Sequence, residues 1–431
     1  MTDSAYIRVP KTSIAIAALS TIVEWYDFTL YLYFATVLSR VFFGGGDMSL
    51  IITLSGFAVS YFLRPLGAIF FGHIGNKYGR RQMMLISMAL MTGTMLLTAL
   101  LPTYQQVGAV AGMSILVLRA VMAFSVGGEY TGVVAYLLES ATSERRGLMT
   151  SLASAASEVG GLIAVGVCAM MANVLSPTSL EQWGWRVPFL IGAVLAAVLW
   201  AARTTLRESP EFEQYQSKGI PLTLGQTIAR YRLAIGRTFA ISALGSITYY
   251  IGIVYIPVFL VSTGGYAEKN ALSLSTVAAF CVILVTPLTG YLSDRLGRKP
   301  VLLFLACCCI ALPLMVFRLM AEGDYLLTMC GAVVLAGIAG GVSAVGTSAT
   351  AEQFSIDGRL MGLALGATAA TALFGGLTPY LAQVLTQHVG GQSIPGVMIM
   401  MVALLVLPVF LRMSETAPKS RAEKPTLLRN R

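Results

Sequence analysis

The feature that most limits what this chain can fold into is a recurrence of apolar runs, each roughly 20 residues long, from Ile14 to Arg412. A run of that length crosses the hydrocarbon of a bilayer, where every backbone polar group needs a partner within the protein. A helix supplies those partners inside one segment, and nothing in the sequence alternates as a barrel strand does. Twelve spans follow, at approximately 14–42, 50–73, 83–101, 108–138, 149–174, 187–206, 238–262, 271–293, 301–319, 326–351, 361–387 and 393–412. With 56% hydrophobic and only 11% charged residues, the 431-residue chain lies outside the balance of a soluble globular protein. The expected fold class is an all-α membrane protein of twelve transmembrane helices in two six-helix bundles.

Lys and Arg set the orientation. With the N-terminus inside, only Arg40, Arg186, Lys269 and Arg318 fall at the outer face, and Arg64 and Arg119 lie within spans. The other basic residues occupy the tails and inner loops, so both termini are expected in the cytoplasm of a cell with this protein in its inner or plasma membrane. The net charge of +9 follows from loops facing anionic lipid and requires no nucleic acid. Met1 to Lys11 is polar and the first span is long and followed by others, so no cleaved signal peptide is expected. All six Cys lie in apolar spans, which suggests neither a disulfide framework nor a metal site.

The one long polar break, Arg203 to Arg237, divides the spans evenly. It predicts an N-terminal bundle over 1–203, a linker over 204–237 and a C-terminal bundle with a short tail over 238–431. An internal repeat supports the division. "GHIGNKYGRR" (72–81) follows the second span and "GYLSDRLGRK" (290–299) the eighth; superposed, Gly72 falls on Gly290, Gly79 on Gly297, Arg80 on Arg298 and Arg81 on Lys299. "ESATSERRG" (139–147) and "EQFSIDGRLMG" (352–362) form a weaker pair in which Glu139 and Glu352 each close a span. Such duplication is the mark of a transporter whose two halves rock about a central site.

The loop pattern G-x-x-x-D-[RK]-x-G-R-[RK], present in full at Gly290 to Lys299, resembles the hallmark of the major facilitator superfamily. Within it, "EWYDF" (24–28), "FLRPLG" (62–67), "FSVGGEYTG" (124–132) and "WGWRVPF" (183–189) resemble the metabolite:proton symporters, carriers of proline and betaine or of citrate, 2-oxoglutarate, dicarboxylates and shikimate. The resemblance implies the major facilitator fold and makes Asn76, Arg80, Arg81, Glu139, Asp294, Arg298, Lys299 and Glu352 gating residues. Three departures accompany it: Asn76 stands where the pattern has Asp, "RAVMA" (119–123) puts Met122 and Ala123 where organic-acid relatives have Gln and Gly, and the tail after Arg412 lacks the coiled-coil extension of osmosensing carriers.

Ionisable groups inside spans are functional candidates by default. Glu24 and Asp27 are three residues apart and share a helix face, roughly 15 to 20 Å along the first helix. Arg64 reaches about the same depth from the other direction. One Arg neutralises one acid, so the expectation is that Glu24 holds Arg64 while Asp27 carries a transported proton, with the reverse assignment open. Arg119 and Glu158 also share a depth, and Arg119 has the planar fork that suits a substrate carboxylate. Glu158 is expected to pair with Arg119 and release it on protonation. Glu129 reads as a structural group reaching basic loops. In the C-half, Tyr249, Tyr250 and Tyr255 offer an aromatic wall for a cation or hydrogen bonds for a carboxylate.

These residues predict a proton-coupled symporter importing a small carboxylate-bearing acid or a zwitterion such as proline or betaine, the alternative being a proton-driven exporter. Its partners are the substrate, protons and membrane lipid, and it is expected to act as a monomer. No cofactor is expected, because no G-x-x-x-x-G-K-[ST] occurs and an ion gradient supplies the energy. The only His, His73 and His388, accompany no nucleophile or metal constellation, which argues against an enzyme.

Overall fold

A computed structural model describes residues 11–417 apart from 46, 207, 209–211, 213–222, 267, 323 and 390. The N-terminal tail, most of the C-terminal tail and part of the linker lie outside the described residues. Twelve membrane helices follow the order expected from the apolar runs. They are α1 (Lys11–Tyr33, continued by Ala35–Phe43), α2 (Asp47–Tyr61 and Arg64–Tyr78), α3 (Arg80–Ala99), α4 (Ala109–Ser140), α5 (Arg146–Val174) and α6 (Arg186–Arg203). Then come α7 (Leu224–Tyr249, a π turn Tyr250–Val254, and Ile256–Ser262), α8 (Glu268–Leu296) and α9 (Arg298–Ala311 and Pro313–Ala321). The last are α10 (Tyr325–Ala351), α11 (Ile356–Thr371, a π turn Ala372–Gly376, and Thr378–Val389) and α12 (Ile394–Arg412). No strand occurs among the described residues.

Among the described residues nine helices are each long and apolar enough to cross a membrane, and the two segments of α9, bent by 42°, make a tenth span. The two members of the set that fall short are α1 and α7. Helix α1 carries Glu24 and Asp27, and α7 is divided by the π turn Tyr250–Val254 and carries Arg230, Arg232 and Arg237 in its first segment.

Proline places the breaks, because it cannot donate to the carbonyl four residues back. Pro65 leaves the Tyr61 carbonyl without its helical donor, and the chain tightens there, with Phe62 and Leu63 donating to Val59 and Ser60 at 3.1 Å each. This break sets Arg64 at the head of the second segment of α2. Pro257 and Pro379 each follow a π turn, in α7 and α11 respectively; in α7 the Tyr255 amide reaches back five residues to the Tyr250 carbonyl at 2.9 Å. Pro287, by contrast, sits inside α8, which runs unbroken from Glu268 to Leu296.

The helices group into two compact units, one drawn from 1–141, 159–230 and 355–364 and the other from 142–158, 231–354 and 365–431. Each unit is thus one sequence half plus the opening turns of one helix from the other half, those of α11 in the first and of α5 in the second. Small residues allow close packing inside each. In the first unit Gly67 of α2 lies against the Phe124 carbonyl of α4, Gly127 of α4 against the Arg64 carbonyl, and Gly160 of α5 against Ile22 of α1. In the second, Gly340 of α10 meets Thr286 of α8, and Gly396 of α12 meets the backbone of α9 at Pro313 and Leu314.

Candidate functional site

The α1 acids are both buried, Glu24 at 1% and Asp27 at 0% exposure. Asp27 is bonded to Arg119 of α4: one guanidinium nitrogen, Nη2, lies 2.9 Å from Oδ1 and 2.8 Å from Oδ2. The guanidinium also sits 5.0 Å from the centroid of the Tyr31 ring, one helical turn beyond Asp27. Two pairings expected from the sequence are therefore corrected. Arg119 is held by Asp27 rather than Glu158, and Arg64 makes no ion pair among the described residues. Arg64 lies instead over two aromatic rings, 4.6 Å from the Phe28 centroid and 4.5 Å from that of Tyr61. Its Nε and the Oε2 of Glu24 are buried without hydrogen-bond partners. Equal depth had suggested the wrong partners because depth carries no information about rotation. The Gly67 and Gly127 contacts bring α2 and α4 together, and the rotation of each helix then turns Arg119, not Arg64, to Asp27.

A second buried pair was missed in sequence. Arg203, which closes α6 and reads as a loop charge, is 0% exposed and bonded to Glu129 of α4 and to Ser20 of α1. It also donates to the Met84 carbonyl of α3 at 2.8 Å, and Ser87 donates to the other Glu129 oxygen. Glu129 thus ties four helices together from inside rather than reaching to basic loops. Glu158 is buried and has no ion-pair partner among the described residues.

The repeated glycine–basic loops have one backbone geometry. Gly79 has φ +104° and Gly297 φ +102°, a region that only glycine enters freely. Each opens a helix whose first amides need acceptors. The amides of Arg80 and Arg81 donate to Glu208, both at 3.1 Å. Those of Arg298 and Lys299 donate to Glu415, at 2.8 and 3.0 Å. Neither carboxylate was singled out in sequence, although "ESP" (208–210) and "ETAP" (415–418), each just after a sixth helix of its half, form a third repeated element.

The side chains of the two loops differ. Asp294 accepts from Arg298 at 2.8 Å and caps α5 through the amides of Gly147 and Leu148, at 2.8 and 2.9 Å. Arg298 also reaches Glu352 at 3.2 Å. Asn76, at the place of Asp294, is buried with neither amide atom bonded. Arg80 turns to Glu139 at 3.0 Å and to the carbonyls of Gly75 and Ile356, while Arg359 joins Glu139 at 3.1 Å. The side chain of Arg81 donates to the Thr204 carbonyl at 2.6 Å, and that of Lys299 to the Leu411 carbonyl at 2.7 Å.

In the second unit the three tyrosines of α7 are buried. Tyr249 and Tyr250 pack edge to face, with centroids 5.4 Å apart, and the Tyr250 ring leaves no room for a side chain at Gly375 in the π turn of α11. Tyr255 donates to Gln383 of α11 at 2.9 Å, and Ser246 to Thr371 at 3.1 Å. The two π turns thus face each other across a polar seam, and Gln383 is its unforeseen member. In α4, Met122 and Ala123 are buried, with Thr94 donating to the Met122 sulfur at 3.3 Å.

Known proteins share this arrangement of helices. The sequence profile described as Major Facilitator Superfamily matches residues 17–320 and 269–430. The proline/betaine transporter of Escherichia coli K12 is 30% identical over 420 residues, covering 94% of this chain and 84% of the relative. A citrate-proton symporter of Klebsiella pneumoniae is 30% identical over 378 residues, covering 86% and 85%. Among solved structures, the proton:xylose symporter XylE bound to 6-bromo-6-deoxy-D-glucose superposes with a TM-score of 0.75 at 20% identity, covering 96% of this chain and 97% of the other.

Proposed function

This chain belongs to the Major Facilitator Superfamily, a family of membrane transporters rather than enzymes, and on that premise we propose that it imports a small polar metabolite together with protons by alternating access. The observation that carries this reading is the buried Asp27–Arg119 pair. Removing the charge of one partner leaves the other uncompensated in a medium of low dielectric, at a cost of about 3 to 5 kcal/mol. A proton arriving at Asp27 therefore does two things at once: it dissolves the bond between α1 and α4, and it leaves Arg119 seeking a new acceptor. Both effects favour a rearrangement of these helices, which is how a proton's arrival becomes a change of access. Arg119 accordingly belongs to the proton-handling pair in this reading, and the substrate's own charges are met elsewhere.

The relatives' printed substrates, proline or betaine and citrate, define the classes to test. In proteoliposomes with an imposed inward proton gradient, labelled substrate accumulates against its own gradient, and uptake declines as the outer pH rises. Asp27→Asn abolishes gradient-driven accumulation and flattens the pH profile while leaving passive exchange of substrate. Acceleration of efflux by the same gradient would establish the exporter instead, and an Asp27→Asn variant that still concentrates substrate would remove Asp27 from the coupling role.

A further inference from the structure

Buried charges of the first unit are matched one to one or better, with a single exception. Asp27 has Arg119, Glu129 has Arg203, and Glu139 has Arg80 and Arg359. Glu24 and Arg64 remain. The Arg64 guanidinium lies 4.6 Å from the ring of Phe28, one helical turn beyond Glu24 on α1, and the two residues are 1% (Glu24) and 7% (Arg64) exposed. Yet they do not bond to each other. A pair that only pinned α1 to α2 would close this gap, since an unpartnered buried charge is among the costliest features a fold can retain.

The surroundings explain how the gap is held open. Phe28 and Tyr61, packed edge to face at 5.1 Å, lie against the Arg64 guanidinium at 4.6 and 4.5 Å, which partly compensates its charge. The Arg64 Nε is buried without a hydrogen-bond partner, and a guanidinium N–H is a strong donor to a carboxylate. The Pro65 break positions Arg64 at the start of a helical segment, so its backbone position is set independently of Glu24. On the other side, Oε2 of Glu24 presents an unused acceptor.

We infer that Glu24 and Arg64 form the recognition slot for the transported substrate, and that the slot selects a zwitterion: its carboxylate on Arg64 and its cationic nitrogen on Glu24. This inference rests on the symport reading above. A zwitterion inserted between the two residues satisfies both charges and adds none to the membrane interior. A dicarboxylate satisfies Arg64 but brings its second negative charge against Glu24, which repels it. The same rings connect the slot to the proton-handling pair. Phe28 packs on Phe57 with centroids 4.8 Å apart, and Phe57 stacks on Tyr31, the ring beneath Arg119, at 6.0 Å. Substrate arriving at Arg64 thus touches the packing that holds Arg119.

Calorimetric binding to the purified full chain tests the slot with four probes: proline; prolinamide, which lacks the carboxylate; tetrahydrofuran-2-carboxylate, which lacks the cationic nitrogen; and 2-oxoglutarate. The wild-type protein binds proline, and each truncated probe binds about tenfold or more weakly. Glu24→Gln weakens proline by a similar factor and improves tetrahydrofuran-2-carboxylate relative to it. Arg64→Gln loses both carboxylates, and Glu24→Asp keeps the order of the four. The probe series on the wild-type protein stands even where a variant fails to fold. Tighter binding of 2-oxoglutarate than of proline, equal binding of proline and its truncated analogues, or no binding of proline overturns the slot. Gradient-driven uptake of 2-oxoglutarate with proline inert sinks the slot alone. Proline binding that depends on both residues, without gradient-driven transport, sinks the symport reading and leaves the slot in place.

Discussion

The loops that open α3 and α9 start from one repeated pattern and have the same backbone, yet their side chains are bonded differently. In both, a glycine at positive φ turns the chain into a helix whose first amides are capped by a glutamate from a later segment. In the C-half loop, Asp294 then gathers Arg298 and the first amides of α5 into one cluster. In the N-half loop, Asn76 gathers nothing, and Arg80 carries the connection alone through Glu139 and the Ile356 carbonyl. Duplication thus preserved the turn and the cap while the ion cluster became one-sided. Backbone conformation is set locally by glycine, whereas the cluster depends on a single acid whose replacement by its amide removes the charge.

The largest effect that tests this contrast is expected from Asp294→Asn. It removes the charge on which Arg298 and the α5 amides converge and should destabilise the protein by about 3 kcal/mol, with a large loss of gradient-driven uptake. Asn76→Ala, at the matching place, should shift stability by no more than about 0.5 kcal/mol. Thermal unfolding of the two variants compares them directly, and equal losses would erase the asymmetry. Next come Gly79→Ala and Gly297→Ala, which force a side chain into the left-handed region and against the capping carboxylate. Each should cost about 1 to 2 kcal/mol, and the two should match because the backbones match. Unequal costs would mean that the turns are not equivalent. Smaller than the glycine losses are those of Glu208→Gln and Glu415→Gln, each weakening a charged cap at a helix start by about 0.5 to 1 kcal/mol. A much larger loss at Glu415 would show that the C-half cap is part of the ion cluster rather than a separate support.

Much of the fold was legible in sequence because its determinants are local. Apolar length gives the spans, and repeated glycines mark equivalent loops, whereas proline alone did not locate the breaks, since Pro287 lies in an unbroken helix. Helices α1 and α7, the two that fall short as single apolar spans among the described residues, carry the acids and the tyrosines. The buried charges of α1, α2 and α4 were legible as a set of residues but not as a set of bonds. Glu24, Asp27, Arg64 and Arg119 were all identified, and the wrong partners were assigned, since rise along a helix is additive from sequence whereas rotation about its axis is fixed by the neighbours it packs on. Arg203 illustrates the same limit from the other side. By position it is a loop charge, and only the packing of α1, α3, α4 and α6 around it makes it a buried one.

The sequence by itself thus determined that the chain crosses a membrane, roughly where its apolar runs lie, that two of its loops repeat one pattern, and that Glu24, Asp27, Arg64 and Arg119 lie within those runs. The tertiary structure decided that Asp27 holds Arg119, that Glu129 holds Arg203, and that neither Glu24 nor Arg64 has an ion pair among the described residues. The division has a physical cause: hydration and backbone hydrogen bonding act within a segment, while an ion pair inside a membrane protein is chosen by the azimuth at which neighbouring helices meet.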